Sequence, residues 1–496
     1  MDLRDYQTNA IADLRRSLGS GKKRPVVMAP TGAGKTVIAA SIIRMAREKG
    51  SKVIFCVPML SLIDQTVKRF QAHGIWDIGV MQGYHEMTDW TQPVQVCSIQ
   101  TLMRRKLPEA DIVIVDECHV MFKFLAEWAN YDDWRKIPFV GLTATPWQKG
   151  MGKIWDDLII ATTTQQLIDL GHLSDFKVFA PAHPDLSGVK TVAGDYDLKG
   201  LGHAMDQGTL VADIVSTWME QADNRPTVCF AVNRVHAKHI QKRFEDAGVS
   251  TAYMDAYTKI PERNEIVADF EVGKVKVICN VGVLTTGFDS DVRCIVLARP
   301  TKSEILYVQM IGRGLRTAEG KDHCLILDHS DTTLRLGFVT DIHHTELDDG
   351  AKRSARKEKT APLPKECPKC AYLRPVKVRQ CPNCGFVAEA VDRVENISGE
   401  LYELSRDKTV KPKDWTIDQK QEFYSELLLY AHLRGYKRGW AYHAYKHRMG
   451  VGPANILHEQ PAKMLSAKTE SWIKHFNIAK AKARERNDGS RYATAR

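Results

Sequence analysis

The sequence predicts an α/β protein in which two parallel-sheet domains precede a small cysteine module and a mainly helical, basic C-terminal region. Short apolar runs alternate with amphipathic segments over residues 20–150, and the same alternation returns after residue 225. Strands that alternate with helices form parallel sheets whose two faces are both covered. A chain of 496 residues is long enough for several domains of this kind.

The individual elements follow from the spacing of the apolar residues. In the first domain we expect helices at 35–49 and 61–70, and buried strands at 25–30, 52–58, 94–99, 111–117 and 139–145. In the second domain we expect helices near 233–247, 261–272 and 303–312, and strands at 227–232, 275–281, 294–299 and 324–329. Residues 184–209 are polar and glycine-rich without a clear period, which predicts a loop or insertion.

These elements and the changes in composition predict five segments. They are a first domain (1–165), a second domain (166–345), a charged linker (346–364), a cysteine module (365–390) and a basic accessory region (391–496). No apolar run reaches the roughly 18 residues that a membrane span needs, and the N-terminus lacks an apolar signal region. Eleven cysteines are too few for a disulfide scaffold in a chain of this length, so we expect a reducing, cytoplasmic setting without membrane contact.

Charge is distributed unevenly along the chain. Residues 351–496 carry 30 Lys and Arg against 16 Asp and Glu, whereas residues 1–350 carry 40 against 44. A neutral main body with a basic accessory region is typical of proteins that bind nucleic acid. A solvated charged tail without a partner is the alternative explanation.

A glycine-rich loop follows the first predicted strand and opens the first long helix. The stretch APTGAGKT (29–36) differs from the GxxxxGK[ST] phosphate loop only in having alanine at its first position. Such a loop cradles phosphates with backbone N–H groups, its lysine reaches the outer phosphates and its Ser or Thr hydroxyl binds Mg²⁺. The predicted nucleotide-binding residues are Pro30, Thr31, Gly32, Ala33, Gly34, Lys35 and Thr36.

Acidic residues follow another predicted strand, in DIVIVDECH (111–119). We expect Asp116 to hold Mg²⁺ together with Thr36, and Glu117 to polarise the attacking water. His119 lies next to these acids, which favours a role in coupling over that of an ordinary core or surface histidine. The segment GLTATP (141–146) contains two hydroxyl groups, those of Thr143 and Thr145. They form either a second coupling element or an ordinary strand end.

These motifs resemble those of superfamily 2 helicases and translocases, and the letters DECH resemble the DExH members. The resemblance extends in order over residues 3–330 and implies two RecA-like domains. LRDYQ (3–7) resembles the adenine-reading motif, which implies nucleotide contacts for Arg4 and Gln7. By the same resemblance, Gly287 and Asp289 in GVLTTGFD (282–289) face the nucleotide. The residues that the family's other motifs imply as nucleic-acid contacts are Pro58, Thr101, Asn233, Thr285 and Thr286.

The segment QMIGRGLR (309–316) combines two arginines with two glycines. Glycines allow another surface to approach closely, and a guanidinium is well shaped for phosphate. In the family this segment lies across the interdomain cleft from the phosphate loop. The resemblance therefore implies that Arg313 and Arg316 are arginine fingers, with Gln309 beside them in the catalytic segment.

Two CxxC pairs separated by ten residues lie beyond the linker. Cys367, Cys370, Cys381 and Cys384 have the spacing of a compact zinc ribbon, and the alternatives are two redox pairs or a rubredoxin-type iron site. The stretch 430–453 interleaves aromatic and basic residues. It indicates either base stacking with phosphate contacts or a small helical domain that packs its aromatics internally.

Within superfamily 2, the chain resembles bacterial RadD-type DNA-repair helicases and their phage relatives. The resemblance implies an ATP hydrolase, a DNA helicase or translocase that needs ATP and Mg²⁺ and carries Zn²⁺. Its predicted partner is DNA, with junctions of single-stranded and duplex DNA favoured, in a bacterial cell or a phage-infected host. Three alternatives stay open: a DExH RNA helicase, an ATP-gated nucleic-acid clamp that unwinds little, and the motor subunit of a restriction system.

Overall fold

The computed structural model describes residues 3–83, 85–120, 123–284, 288–351, 362–387, 412, 415–437, 439–454, 457–466 and 468–477. The chain divides into two compact units, residues 1–390 and 391–496. Among the described residues, none of the helices combines the length and the apolar character that crossing a membrane requires.

The first sheet has seven parallel strands in the order β3-β4-β2-β5-β6-β1-β7. Its strands are β1 (Pro25–Met28), β2 (Val53–Val57), β3 (Ile78–Met81), β4 (Val94–Ser98), β5 (Ile112–Asp116), β6 (Phe139–Thr143) and β7 (Asp157–Ile160). Neighbouring residues of one strand face different core clusters: Val27 and Phe55 face one, whereas Val26 and Ile54 face the other. Both faces of the sheet are therefore covered, as the apolar runs predicted.

The described residues of this part of the chain form six α-helices. They are α1 (Asp5–Gly19), α2 (Lys35–Glu48), α3 (Ile63–Ala72), α4 (Ile99–Leu102), α5 (Lys123–Trp128) and α6 (Thr164–Asp169). The predicted helices at 35–49 and 61–70 are confirmed as α2 and α3, although a 3₁₀ turn over Leu60–Leu62 precedes α3 and delays its start.

The second sheet has six parallel strands in the order β12-β13-β11-β14-β15-β8. Its strands are β8 (Asp175–Phe179), β11 (Thr227–Ala231), β12 (Thr251–Met254), β13 (Val277–Asn280), β14 (Cys294–Ala298) and β15 (His323–Asp328). The helices are α8 (Gly208–Gln221), α9 (Arg234–Asp246), α10 (Ile260–Glu271), α11 (Glu304–Gly312) and α12 (Thr332–Leu336). The predicted fold class, two tandem α/β domains with parallel sheets, is confirmed.

Residues 184–209 are more ordered than the predicted loop. They contain a two-stranded hairpin, β9 (Thr191–Val192) and β10 (Asp195–Tyr196), and the helix α7 (Leu198–Met205). The Asp197 carboxylate caps α7 by accepting a hydrogen bond from the backbone N–H of Gly200 at 2.9 Å. Asp195 accepts hydrogen bonds from the Thr301 hydroxyl and the Lys302 backbone N–H, both at 2.7 Å. Tertiary contacts order this segment, and its sequence therefore has no hydrophobic periodicity from which the hairpin and the helix could be predicted.

The cysteine module and the C-terminal unit complete the described chain. The module contains a short antiparallel pair, β16 (Lys365–Glu366) and β17 (Leu373–Arg374). The second unit contains α13 (Ile417–Leu433), α14 (Gly439–Met449) and a further helical stretch over 468–477. Asp348, within the predicted linker, accepts a hydrogen bond from the Gly150 backbone N–H at 2.9 Å, so the start of that segment lies against the first sheet's connections. The five segment boundaries stay predictions.

Candidate nucleotide site

The phosphate loop has a backbone that only glycine adopts easily. Gly32 and Gly34 have φ angles of 88° and 80°, in the left-handed region. A Cβ atom at Gly32 would lie 2.6 Å from Leu173 Cδ2, and one at Gly34 would lie 2.6 Å from Gln7 Nε2. The loop then enters α2 at Lys35, so the N-terminus of that helix faces the same space as the loop.

Residues of α1 support this loop from behind. The Tyr6 hydroxyl and the Gln7 Nε2 amide both donate to the Ala33 carbonyl, at 3.0 and 2.9 Å, and Gln7 Oε1 accepts from the Arg4 backbone N–H at 3.0 Å. Gln7 is only 3% exposed and does not line the cavity in front of the loop, whereas Arg4 does. In this structure Gln7 thus holds the phosphate loop, and its contact with adenine stays a prediction.

The two acids of the DECH segment stand opposite the loop. Asp116 ends β5, and Glu117 follows with a φ of 48°, a strained value of the kind that occurs at functional sites. The Lys35 ammonium lies 3.7 Å from Glu117 Oε1. Burial and the charge of Glu117 raise the pKa of Asp116. Burial acts in the same direction on Glu117, but Lys35 and His119 outweigh it and lower the pKa of Glu117. Glu117 is therefore the acid that is held ionised.

The two arginines approach from the second sheet, at the end of α11. Gly312 lies so close to the phosphate loop that a Cβ atom on it would be 3.0 Å from both Cβ and Oγ1 of Thr31. The guanidinium groups of Arg313 and Arg316 both donate to the Phe288 carbonyl, at 3.0 and 2.5 Å. Burial lowers the pKa of Arg313 to about 10, which still leaves it charged near neutral pH. The absence of a side chain at Gly312 thus allows the arginine segment to reach the phosphate loop.

Contacts between side chains join the two sheets at two further points. Asp289 receives Arg316 Nη1 on one oxygen at 2.5 Å and Arg69 Nη2, from α3, on the other at 2.7 Å. His119 lies with Nε2 3.2 Å from Gln309 Nε2 and with Nδ1 2.8 Å from Thr143 Oγ1. The residues predicted to couple the domains therefore form a continuous set of contacts from β6 to α11.

Thr145 extends this set by one residue, because its backbone N–H donates to Thr143 Oγ1 at 3.0 Å. Both threonines are completely buried.

Residues from both sheets surround one cavity of about 490 Å³. Its lining combines the phosphate loop and α2 with both acids, Asp289 and both arginines. One face of α3 also lines the cavity, through Gln65, Thr66 and Arg69. The sequence did not predict these three residues as part of the nucleotide site. A phosphate loop, a pair of acids and two arginines from a second sheet define a P-loop nucleotide hydrolase whose site is divided between two domains.

Three of the predicted nucleic-acid contacts, Pro58, Thr101 and Asn233, lie after strands of the sheets and do not line this cavity. Pro58 follows β2 and is buried, and Thr101 lies in α4, where its N–H donates to Ser98 Oγ at 3.2 Å. Asn233 caps α9 by accepting from the His236 N–H at 3.0 Å. A Cβ atom on Gly202 of α7 would lie 2.1 Å from Asn233 Nδ2, so the inserted helix packs on this residue. Their role in binding nucleic acid stays a prediction.

Three predicted residues, Thr285, Thr286 and Gly287, lie outside the described residues.

The four cysteines of the module converge. All four Sγ atoms lie within 4.8 Å of one another, with Cys367–Cys384 and Cys370–Cys381 separations of 3.7 Å. A tetrahedral site with metal–sulfur bonds of about 2.3 Å has sulfur–sulfur separations of about 3.8 Å, so the arrangement fits Zn²⁺.

The two CxxC turns of the module have matching backbones. Ala371 N–H donates to the Cys367 carbonyl and Gly385 N–H to the Cys381 carbonyl, each at 2.9 Å and each from a residue with positive φ. The module also pairs with the edge of the second sheet, because Ala180 N–H donates to the Ala371 carbonyl at 2.9 Å.

Comparison with known families supports the assignment from the site. Residues 1–148 match the family described as type III restriction enzyme, res subunit, and residues 209–318 match the helicase conserved C-terminal domain. A 51.5 kDa protein of a Lactococcus phage is 28% identical over 416 residues, which cover 81% of this chain and 86% of the phage protein.

A helicase of Saccharomyces cerevisiae, named ATP-dependent helicase IRC3, is 31% identical over 355 residues. The match covers 66% of this chain but only 51% of the yeast protein. Among solved structures, a fragment of an HsdR subunit of a type I restriction enzyme from Vibrio vulnificus has a TM-score of 0.52 at 20% identity, over 70% of this chain and 67% of the fragment. This likeness concerns the fold.

The two matched domains, over residues 1–148 and 209–318, are those of superfamily 2 helicases, the class of nucleic-acid-dependent ATPases that the sequence motifs indicated. ATP is the nucleotide that this family implies for the cavity. The narrower resemblance to RadD-type repair helicases stays a prediction.

Proposed function

We propose that the protein is an ATP- and Mg²⁺-dependent DNA helicase or translocase that moves on, or remodels, duplex or branched DNA. One observation carries the proposal: Gly312 brings the arginine segment of the second sheet against Thr31 of the phosphate loop, with Lys35 and Glu117 across the same cavity. A site completed by two domains responds to nucleotide by opening and closing, which is how a motor couples hydrolysis to movement.

In the proposed reaction, Lys35 and the N–H groups of the phosphate loop bind the phosphates. Thr36 and Asp116 offer the oxygen donors that Mg²⁺ prefers, and the ion, when bound, would neutralise charge on the outer phosphates. Glu117, ionised and 3.7 Å from Lys35, orients the attacking water and receives its proton. Arg313 and Arg316 stabilise the charge that builds up on the transferred phosphoryl group.

DNA is the proposed substrate because restriction-enzyme subunits occur both among the matched families and among the similar solved structures. The basic residues 351–496, with 30 Lys and Arg against 16 Asp and Glu, would add affinity for any nucleic acid. A DExH RNA helicase is therefore the alternative that experiment must separate. An ATP-gated clamp is less favoured, because a clamp has no need for the strained, ionised Glu117.

We propose that Cys367, Cys370, Cys381 and Cys384 hold a structural Zn²⁺. The 3.7 Å separations join cysteines of different CxxC pairs, and all four sulfurs lie within 4.8 Å of one another, which supports one shared tetrahedral site more than two separate redox pairs.

The experiment that tests the motor is ATP hydrolysis by the wild type and Glu117→Gln, each with single-stranded, duplex and forked DNA and with RNA of matched sequence. Stimulation by DNA that the variant lacks is the expected result. Stimulation of ATP hydrolysis by RNA alone would show that the substrate is RNA and not DNA. Binding of nucleic acid without turnover in any arm would favour the clamp.

A further inference from the structure

The C-terminal unit sorts its aromatic residues into a packed interior and an exposed face. Tyr445 of α14 is buried against Phe423 and Tyr424 of α13, with ring centroids 6.3 and 5.4 Å apart, and Trp472 and Phe476 stack over the same core. Most of the aromatic residues that the structure describes in this unit therefore stabilise its fold. Those that remain exposed need another explanation.

One side of α14 is exposed and carries an aromatic ring together with a lysine and two histidines. Tyr442, His443, Lys446 and His447 are all exposed and recur at the spacing of one helical face, opposite the buried Ala441, Ala444 and Tyr445. We call these four residues the α14 face. Tyr442 is 41% exposed.

The α14 face has no acidic counterpart nearby in the sequence. The 24 residues from 430 to 453 contain no Asp or Glu. Among the described residues, the Lys446 ammonium forms no ion pair, whereas Lys474 of the same unit lies 3.3 Å from Glu470. Lys446 therefore presents an unneutralised charge, and Lys474 does not.

Tyr442 is also held in place. A Cβ atom on Gly452 would lie 2.7 Å from the Tyr442 hydroxyl and 3.1 Å from two ring carbons, so the turn after α14 packs on the phenol. The ring centroid of His443 lies 5.6 Å away, nearly perpendicular to that of Tyr442. A ring that is already fixed loses little conformational entropy when a base stacks on it.

We infer that the α14 face binds single-stranded nucleic acid, with a base stacked on Tyr442 and a phosphate on Lys446. Exposed rings interleaved with cations accept unpaired bases, whose faces are free, whereas the bases of a duplex are already stacked on each other. Charge complementarity between an acid-free face and a polyanion identifies the partner. This inference rests on the proposed function, and it gives the basic region a site outside the nucleotide cavity.

The test is the affinity of the full chain for fluorescently labelled oligothymidine, measured by anisotropy at several salt concentrations. Tyr442→Ala is expected to weaken binding by about tenfold, and Tyr442→Phe to keep wild-type affinity, because stacking needs the ring alone. Lys446→Ala is expected to reduce the slope of log affinity against log salt by about 0.7. Lys474→Ala removes the same charge from the same unit and is expected to leave affinity within about twofold.

Wild-type affinity in Tyr442→Ala would overturn the inference, as would equal losses in Lys446→Ala and Lys474→Ala. An equal loss of affinity for matched duplex would also overturn it, because stacking would then not be the basis of binding. Thermal unfolding of each variant separates lost binding from lost folding. ATP hydrolysis is measured on the same samples with and without nucleic acid. If the wild type hydrolyses ATP in neither condition, the proposed function fails, while the binding comparison still decides the inference.

Discussion

Replacing Gly312 by alanine tests how the two sheets share the nucleotide site. Gly312 is the last residue of α11, and its backbone is not in the left-handed region, so alanine fits the local helix and removes the flexibility of glycine. The added Cβ would nevertheless lie 3.0 Å from Cβ and Oγ1 of Thr31, across the cleft. The substitution is therefore compatible with the fold of the second domain, but it introduces a steric clash with the phosphate loop of the first domain.

The magnitude follows from this contact. Carbon atoms in contact prefer about 3.5–4.0 Å, so the cleft must open by about 0.5–1 Å to accept the methyl group. A misplacement of about 1 Å can lower a rate by about 10²-fold. We expect kcat for ATP hydrolysis to fall by about tenfold or more in Gly312→Ala, with a thermal midpoint equal to or above that of the wild type.

Two comparisons make this prediction decisive. Gly208 begins α8, and a Cβ atom added to it would have nothing within 4 Å, so Gly208→Ala is the matched control and should retain wild-type kcat. Thr31→Gly removes the atoms that the methyl group meets, so adding Gly312→Ala to that variant should cause little further loss. A wild-type kcat in Gly312→Ala, or losses that simply multiply in the double variant, would refute the steric reasoning.

Three further predictions concern the phosphate loop, the metal and pH. Lys35→Ala should abolish ATP hydrolysis in a phosphate-release assay while leaving DNA binding by the basic region largely intact; retained hydrolysis would contradict the site. Cys381→Ser with Cys384→Ser should remove zinc, measured by elemental analysis, yet preserve hydrolysis without nucleic acid. Burial lowers the pKa of His236 to about 4 from 6.5, so the unfolded state binds more protons between these values and stability should fall as pH drops, by up to about 1.4 kcal/mol per unit. His236→Gln should flatten that dependence in denaturant titrations at pH 7, 6 and 5, and parallel curves would contradict it.

The sequence predicted the parts of the site that local chemistry determines. The glycine-rich motif predicted the loop, in which Gly32 and Gly34 have left-handed backbones. It also predicted that a helix begins directly after the loop, and α2 begins at Lys35. Most of the buried strands were predictable because parallel strands covered on both faces are continuously apolar. The apolar runs did not reveal β3, β7 and β12, each of which has only four residues. The spacing of the two CxxC pairs predicted that the four cysteines converge, and their sulfurs lie within 4.8 Å of one another.

Contacts between distant segments were not predictable from one sequence. Arg69 and Asp289 are 220 residues apart, and nothing in the helical spacing of α3 marks which of its polar residues faces the cavity. Strand β8 was missed because Asp175 and Lys177 are exposed at the start of an edge strand, which breaks the apolar run. The role of Gln7 was expected from the resemblance as a contact to adenine, and only the structure reveals its hydrogen bond to the phosphate loop.

Arg313 and Arg316 differ in how strongly the protein fixes their side chains. Arg313 is 6% exposed, so its position is set by the protein before nucleotide arrives. Arg316 is bound to Asp289, which also binds Arg69 from the first sheet, and the side chains of Asp289 and Arg69 are 50% and 40% exposed. Ion pairs that exposed contribute about 0–1 kcal/mol, so the negative charge of a triphosphate can displace them readily. In the proposed mechanism, Asp289 would therefore exchange its partners when nucleotide binds, whereas Arg313 would keep its position.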